Sequence, residues 1–424
     1  MSTSQPRPRP DRRLAAAPVY LIMSGAFGLF FALITTVNLV YQFQVARLDP
    51  LQLILVGTLL ETVAFLCEVP TGVVADVYSR RLSVVIGYLL VGAGFAIEGL
   101  VPTFAAIMLC QVIWGVGITF ISGATDAWLA DEVGETVASR LYLRGTQASQ
   151  LGALVGTGFS VALGSIRINL PIVLGGALIA GLGVFLAFAM PERGFRPAPQ
   201  GDRTSYQKMA HTFLSGVGVV RRSPVLTTIL IVIVVRGAGS EAIDRLSQAH
   251  FLDNLAFPAI GDLQPIVWFG LISAVGRLLS LATTEIVKRR VDTTSHRAAA
   301  RSILVLTALQ LACVVGLGLA ANFWLATLAF LATSLCRVTS APIYTAWINQ
   351  SLEPGTRATV LSMTSQSDAL GQIVGGPPLG IVGNRYSLRA AIVAAGLLLL
   401  PALPLLAGGA RRMQPPKVVA LVED

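Results

Sequence analysis

"EVPTGVVADVYSRRLSVVIG", residues 68–87, decides the fold. Apolar runs flank it on both sides, yet its middle holds Asp76, Arg80 and Arg81. At the centre of a bilayer helix each of these charges would cost about 2.5–3.5 kcal/mol. The cluster therefore fits a turn at a membrane surface, with the flanking runs inside the membrane. The composition agrees. Of 424 residues, 54% are hydrophobic and only 12% are charged, whereas a soluble globular chain carries about 25% charged residues. No soluble fold has enough interior to hide this much apolar sequence, so the chain reads as an all-α, multi-spanning membrane protein.

A helix needs about 20 residues to cross the hydrocarbon core. With that window the chain divides into about twelve spans, at residues 18–42, 50–75, 82–101, 102–128, 139–163, 168–190, 222–250, 264–287, 300–320, 322–347, 358–382 and 386–408. The breaks carry Pro, Gly or charge. One interruption is longer: "PERGFRPAPQGDRTSYQKMAHTF" (191–213) is polar and Pro-rich. The expected organisation is a tail (1–17), a six-helix bundle (18–190), a linker (191–221), a second six-helix bundle (222–408) and a second tail (409–424). With the N-terminus taken as inside, the tails, the linker and the loops on that side collect 23 of the 31 Lys and Arg residues. The opposite loops hold four (Arg47, Arg167, Arg385, Arg389), and four more lie within spans. Because basic residues accumulate on the cytoplasmic side, both termini and the Asp76–Arg81 turn are expected there, in a bacterial plasma membrane.

Several classes are set aside. The formal net charge is +9, but its location explains it by topology rather than by nucleic acid. Cys67, Cys110, Cys313 and Cys336 all fall inside apolar runs and read as small hydrophobes. His211, His250 and His296 are scattered, without metal-ligand spacing. No G-x-x-x-x-G-K-[ST] loop is present, so ATP is not the driver within this chain. No cofactor and no obligate protein partner are expected.

The two halves look like a duplication. "TQASQLGALVG" (146–156) aligns with "SQSDALGQIVG" (365–375) at an offset of 219 residues. Gln147, Leu151, Gly152, Val155 and Gly156 match Gln366, Leu370, Gly371, Val374 and Gly375, and Ala127–Trp128 matches Ala346–Trp347 at the same offset. "ADVYSRR" (75–81) has a worn echo in "TEIVKRR" (284–290). Parallel repeats of this kind are a transporter signature.

These residues carry a resemblance. The chain resembles the major facilitator superfamily, whose loop signature between its second and third helices is roughly G-x-x-x-D-x-x-G-R-[RK]. Here Gly72, Asp76, Arg80 and Arg81 match, and Ser79 stands for the second Gly. Other signatures of that superfamily are missing: "QVIWG" has Gln111 where many members have Arg, and "GALVGTG" (152–158) lacks the Pro of the drug-antiporter motif. The resemblance implies two pseudo-symmetric six-helix bundles that alternate access to a central cavity. It implies that Gly72, Asp76, Arg80 and Arg81 form a cytoplasmic gate against the ends of helices four and eleven. Asp126 and Asp131, at the end of span four, are the expected partners. It also implies that helices one, four, seven and ten line the cavity, which puts Asn38, Gln42, Arg236 and Tyr344 there.

Ionisable groups at membrane depth default to function. Span seven carries Arg236, Glu241, Asp244 and Arg245, with Glu241 and Arg245 four apart on one helix face. Glu241 or Asp244 is a candidate for the coupling proton, since desolvation favours a neutral carboxyl and an adjacent Arg opposes it; a static, self-neutralising pair is the alternative. Glu61 and Glu68 share a face of span two. They form a proton path, or they pair with Arg277 and Arg337. Those two arginines bind an anionic substrate, or they are satisfied by Asp368 and Gln366 on span eleven. Glu98, near the outer end of span three, reads as interfacial, as do Trp128 and Trp347 near span ends. Pro377 and Pro378 are expected to break helix eleven.

The function expected is secondary transport of a small molecule. Proton-coupled efflux of a lipophilic compound comes first, and transport of an anionic metabolite second. A non-transporting sensor is the alternative of another class, and no enzyme is expected.

Overall fold

A computed structural model describes residues 14–197, 218, 220, 223–261, 263–290, 295–350 and 357–412. Most of the two expected tails and of the linker therefore lies outside the described residues. Among the described residues fourteen α-helices are delimited, in chain order: α1 (Ala16–Thr35), α2 (Asn38–Gln44), α3 (Pro50–Val77), α4 (Arg80–Leu100), α5 (Phe104–Val133), α6 (Glu135–Gly164), α7 (Leu170–Ala189), α8 (Pro224–Asn254), α9 (Pro265–Arg290), α10 (His296–Leu319), α11 (Phe323–Gln350), α12 (Arg357–Arg385), α13 (Leu388–Leu397) and α14 (Ala402–Arg412). No strand occurs among the described residues.

Among the described residues ten segments are long and apolar enough to cross a membrane, counting α1–α2 and α13–α14 as one each. The other two long helices, α6 and α12, complete twelve. They fall short because they carry the Gly-, Ser- and Gln-rich repeat. Local chemistry fixes the ends. Asp49 and Gln52 form a capping box on α3, with Pro50 at the first helical position. Ser79, Thr103, Ser223, Ser295 and Ser387 cap α4, α5, α8, α10 and α13 through their side-chain oxygens. Gly134, at φ 79°, supplies the left-handed turn between α5 and α6. Contrary to the expectation of a break, α12 continues through Pro377 and Pro378. Neighbouring helices in a membrane bundle can re-satisfy the backbone that Pro frees.

Helices α1–α7 pack mainly on one another, as do α8–α14. The duplication survives in this packing. A Cβ built on Gly152 or Gly156 of α6 would lie 2.2 Å from the Gly25 or Leu29 carbonyl oxygen of α1. In the second half, Gly371 of α12 stands in the same relation to the Val234 carbonyl of α8, and Gly375 to Ala238. The matched glycines thus let α6 meet α1, and α12 meet α8, backbone to backbone. Close approach matters here because lipid gives no hydrophobic drive between helices and contact must replace it.

The halves meet along α3–α12, α3–α8, α2–α8 and α6–α9. Two faces of the molecule can be told apart: the terminal face, where α1 begins and α14 ends, and the far face, where α2 ends and α3 begins. The far face is closed. Leu51 N–H donates to Asn384 Oδ1 at 3.0 Å, and Asn384 Nδ2 donates to Asp49 Oδ1 at 3.1 Å. One apolar cluster there joins Leu53, Ile54 and Val56 to Ala242, Leu246 and Leu379 across the seam. Toward the terminal face each half has its own core, one around Tyr20, Tyr88 and Trp128 and one around Ile229, Ile343 and Trp347. Trp128 and Trp347 are fully buried, not interfacial. The Trp128 indole N–H donates to the Pro191 carbonyl at 2.6 Å, so the ring closes over the exit of α7.

Candidate functional site

The charges of α8 sit where three helices converge. Arg245 Nε and Glu241 Oε1 are 2.9 Å apart, and their side chains are 15% and 4% exposed. Their i, i+4 spacing places them on one face of α8. That face turns to α3 at Gly57, where a Cβ would lie 1.4 Å from Glu241 Oε1 and 2.5 Å from Arg245 Nε. On the other side a Cβ on Gly376 of α12 would lie 3.4 Å from Glu241 Cγ. A residue with no side chain at position 57 is therefore what admits the ion pair to the seam between halves. Sequence reasoning missed Gly57, since a lone Gly in an apolar run carries no charge signal.

Asp244, three residues after Glu241, turns to α11. Arg337 Nη1 and Nη2 meet Asp244 Oδ1 and Oδ2 at 2.5 and 2.9 Å, a bidentate pair with both side chains partly exposed. Arg236 places its guanidinium carbon 4.8 Å from the centroid of the Tyr344 ring, and Tyr344 itself is buried rather than cavity-lining. Asp368 of α12 accepts from Gln372 Nε2 at 2.9 Å. Arg236, Arg337 and Asp244 are its electrostatic neighbours. The structure thus brings Arg236, Glu241, Asp244, Arg245, Arg337 and Asp368 into one network on α8, α11 and α12.

Glu61 of α3 faces this network from the other half, with Glu241, Asp368, Arg245 and Asp244 as electrostatic neighbours. It makes no ion pair within 4 Å among the described residues. With Glu68 it lines a cavity of about 190 Å³ between the halves, closed by Thr119 and Ser122 of α5 and by Ser365, Gln366 and Ala369 of α12. Ser122 also lines a second cavity of about 290 Å³ inside the first half, walled by Tyr20, Met23, Phe27 and Tyr88. The two adjoin, and both lie toward the terminal face.

Two expectations need correction. Asn38 and Gln42 do not line an open cavity in this conformation; they are 7% and 0% exposed. Gln42 Nε2 donates instead to Glu98 Oε1 at 2.7 Å. Glu98, expected at the interface, is fully buried. The cause is a break in the first span. Thr36 and Val37 interrupt it, and α2 restarts at Asn38, which aims its polar face at α4.

The expected gate residues also resolve. Arg80 Nη1 meets Asp131 Oδ2 of α5 at 2.8 Å, and Arg80 Nη2 lies 3.6 Å from Asp76. Asp126 is exposed; its backbone oxygen accepts from the Tyr142 hydroxyl at 2.9 Å. The segment after α7 joins the cluster. Glu192 accepts from Ser79 Oγ at 2.7 Å and from Arg81 N–H at 3.0 Å, and Phe195 lies under the Arg80 guanidinium at 5.9 Å. Among the described residues this cluster reaches α5 and the segment after α7, not α12. Gly72 has open space where its side chain would be. Among the described residues no ion pair joins the two halves at the terminal face, while the far face is shut.

Comparison with known proteins agrees with this architecture. The family model described as Major Facilitator Superfamily matches residues 16–375. The chain is 22% identical over 396 residues to the uncharacterized MFS-type transporter YxaM of Bacillus subtilis strain 168, covering 90% of this chain and 93% of that protein. Among solved structures it resembles the nucleoside transporter NupG (TM-score 0.72, 13% identity, 95% of this chain and 100% of that one). It also resembles a bacterial homolog of the human lysosomal transporter Spinster in an inward-facing, unoccupied conformation (TM-score 0.73, 14% identity, 96% and 100%). The human organic anion transporter MFSD10 is similar at a TM-score of 0.56 and 18% identity, over 94% of this chain and 100% of that one. A multi-pass membrane chain of twelve crossing segments, matched by this family model over most of its length, belongs to the major facilitator superfamily and is a membrane transporter rather than an enzyme.

Proposed function

We propose that this transporter exports a lipophilic compound, neutral or cationic, in exchange for protons, by alternating between the conformation described and one open at the far face. The single observation that carries the reading is the balance of charge around the central cavity. Arg245 and Arg337 are each held by a carboxylate, so their charge is not offered to an anion. Glu61 and Glu68 line the cavity with no ion-pair partner among the described residues. The adjoining cavity has one aromatic and apolar wall (Tyr20, Met23, Phe27, Tyr88, Ile121) and one of hydroxyls and an amide (Ser24, Ser122, Thr125, Thr146, Ser149, Gln150), with Phe27, Phe31, Phe95 and Trp114 packed behind the first at centroid separations of 4.9–6.1 Å. An aromatic wall beside carboxylates that have no ion-pair partner among the described residues suits a lipophile whose exit is exchanged against protons. Glu61 is the group that meets water in the cavity, and Glu241 and Asp244 set the field it feels. With basic residues gathered on the terminal face, that face is cytoplasmic and the cavity opens inward.

A second reading, transport of an anionic metabolite, is favoured by Arg236, which stacks on Tyr344 rather than meeting a carboxylate within 4 Å. One assay separates the two. Purified protein is placed in liposomes with an acid lumen and a pH-sensitive dye inside, and lipophilic cations, neutral lipophiles and organic anions are added in turn. Proton release triggered by lipophiles, lost in Glu61→Gln, supports the first reading. Release triggered by anions alone, kept in Glu61→Gln and lost in Arg236→Ala, replaces it with the second.

A further inference from the structure

Glu98 makes no ion pair with the network of α8, α11 and α12. It lies two residues before the end of α4 and is fully buried. Gln42 Nε2 donates to its Oε1 at 2.7 Å, and Gln111 Nε2 approaches Oε2 at 3.5 Å. The side chains of Asn38 and Cys110 are further neighbours of the carboxyl, and the Tyr41 hydroxyl donates to the Glu98 backbone oxygen at 2.7 Å. The titratable or charged groups facing it are Tyr41 from α2, Cys110 from α5 and Arg245 from α8. Helix α7 adds only the Asn169 amide, 3.2 Å from the Gly99 carbonyl. The one cation of the set, Arg245, is already engaged by Glu241 at 2.9 Å.

Two independent facts then agree. An ionised carboxylate in a dry interior costs several kcal/mol unless a cation pairs with it, and no Lys, Arg or His lies within 4 Å of this one among the described residues. The surrounding amides are also short of donors. Asn38 Oδ1, Gln42 Oε1 and Gln111 Oε1 are all buried without a hydrogen-bond partner. An ionised Glu98 can only accept; a protonated one brings one O–H donor. Turning the Gln111 amide about its last bond places its oxygen where its nitrogen now stands, opposite Oε2, to receive that donor.

We infer that Glu98 is a proton-binding site, filled while the far face is closed and emptied when that face opens. Helix α2, which carries Asn38 and Gln42, packs on α8 across the seam. Opening the far face draws α2 from α8 and lets water reach the carboxyl, where hydration removes the cost of ionising it. A form that binds the proton more tightly is the form that protons favour, so acid holds the far face shut. The inference goes beyond the proton-coupled reading above: a site filled while the far face is closed and emptied when it opens sets the balance between conformations and is not the group that carries the exchanged proton inward.

The test uses the full chain in lipid nanodiscs with the hydrogen ion itself as probe. Infrared spectra near neutral pH are expected to contain a carboxylic-acid C=O band that Glu98→Gln removes and Glu98→Asp shifts. Spin labels at Ile166→Cys and Tyr386→Cys, 73% and 78% exposed at the far-face ends of the two halves, report opening. The half-buried Cys67 and Cys313 are changed to Ser, and the buried Cys110 and Cys336 are kept. Alkaline pH is expected to lengthen the label distance in the parent, the open-to-closed ratio rising by at most about tenfold per pH unit for one proton. In Glu98→Gln the short distance should persist at every pH. A spectrum in which Glu98→Gln removes no acid band overturns the inference, as does a Glu98→Gln variant that keeps the parent's pH response. Should Glu98→Gln fail to fold, an unshifted acid band in Glu98→Asp overturns it equally. Loss of compound-driven proton flux in the parent would overturn the coupling reading while leaving both of these results in place.

Discussion

Replacing Gly57 with Ala adds one methyl group at the most crowded point of the seam. Its carbon would stand 1.4 Å from Glu241 Oε1 and 2.5 Å from Glu241 Cδ and Arg245 Nε. The neighbours are side-chain ends, which elsewhere would swing aside. Here they are bound to each other at 2.9 Å and almost wholly buried. Overpacking of this kind costs about 1–3 kcal/mol, and the better helix propensity of Ala returns up to about 1 kcal/mol in either conformation. Only the first quantity differs between conformations, because opening the far face withdraws α3 from α8. The variant should therefore shift the balance toward the far-face-open form by about 1–3 kcal/mol, roughly 5- to 150-fold in population. The label distance between Ile166→Cys and Tyr386→Cys should lengthen accordingly. Gly57→Ala with Glu241→Gln and Arg245→Gln should relax part of the way back, since uncharged side chains no longer hold each other in place. An unchanged distance distribution in Gly57→Ala would refute the claim that the ion pair, packed on a bare backbone, holds the two halves together.

Gly371→Val should lower the yield of folded protein sharply, measured by size-exclusion profile, because its new Cβ meets the Val234 carbonyl at 2.2 Å and backbone cannot swing aside. Gly72→Ala, with nothing within 4 Å of the new Cβ, should leave that profile unchanged. Glu192→Ala removes the acceptor of Ser79 Oγ and Arg81 N–H at the start of α4 and should destabilise the protein by about 0.5–2 kcal/mol, as loss of a cap does; thermal unfolding in detergent reads it. Arg337→Ala should lower transport and thermal stability slightly more than Arg337→Ala with Asp244→Ala, because it leaves Asp244 without its bidentate partner, and the difference should stay within about 1 kcal/mol since the pair is partly exposed. Equal losses in the single and double variants would show that the pair does not act as a unit.

Most of the architecture was legible because it follows from one-dimensional signals. Apolar run length gave the spans to within a few residues, and the polar residues at run ends turned out to be caps. The offset of 219 residues identified the helices whose glycines make equivalent close contacts. What stayed hidden depends on where a helix points rather than on what it contains. Glu98 and Gln42 are 56 residues apart, and no spacing rule joins them. The rule that a charge near a span end is interfacial failed because the break at Thr36–Val37 turns α2 inward. Trp128 misled for a related reason: the segment after α7 folds back over it. The spacing of Glu241 and Arg245 puts them on one helix face, where they meet, but the partner of Asp244 lies 93 residues on and no spacing rule points to it.

The duplication also separates packing from chemistry. At the offset of 219 residues Gly371 and Gly375 correspond to Gly152 and Gly156, and both halves keep the same close helix pair. At that offset Asp368 corresponds to Ser149, and Arg337 corresponds to Ile118. The charges therefore entered, or persisted in, one half only. The first half carries a cavity with an aromatic wall and a buried carboxyl surrounded by amides; the second carries the ion pairs at the seam, and the first half's own pairs lie at the terminal face. Symmetric bundles with symmetric charges would present like groups across the seam, and these would repel. An asymmetric pair can instead set Glu61 of one half against the α8 network of the other. Moving the two halves apart then changes the field at a carboxylate, and a change of field is what couples protonation to motion. On this argument the residues worth mutating are those at which the two halves differ, while substitutions at matched positions, such as the paired glycines, should report on folding alone.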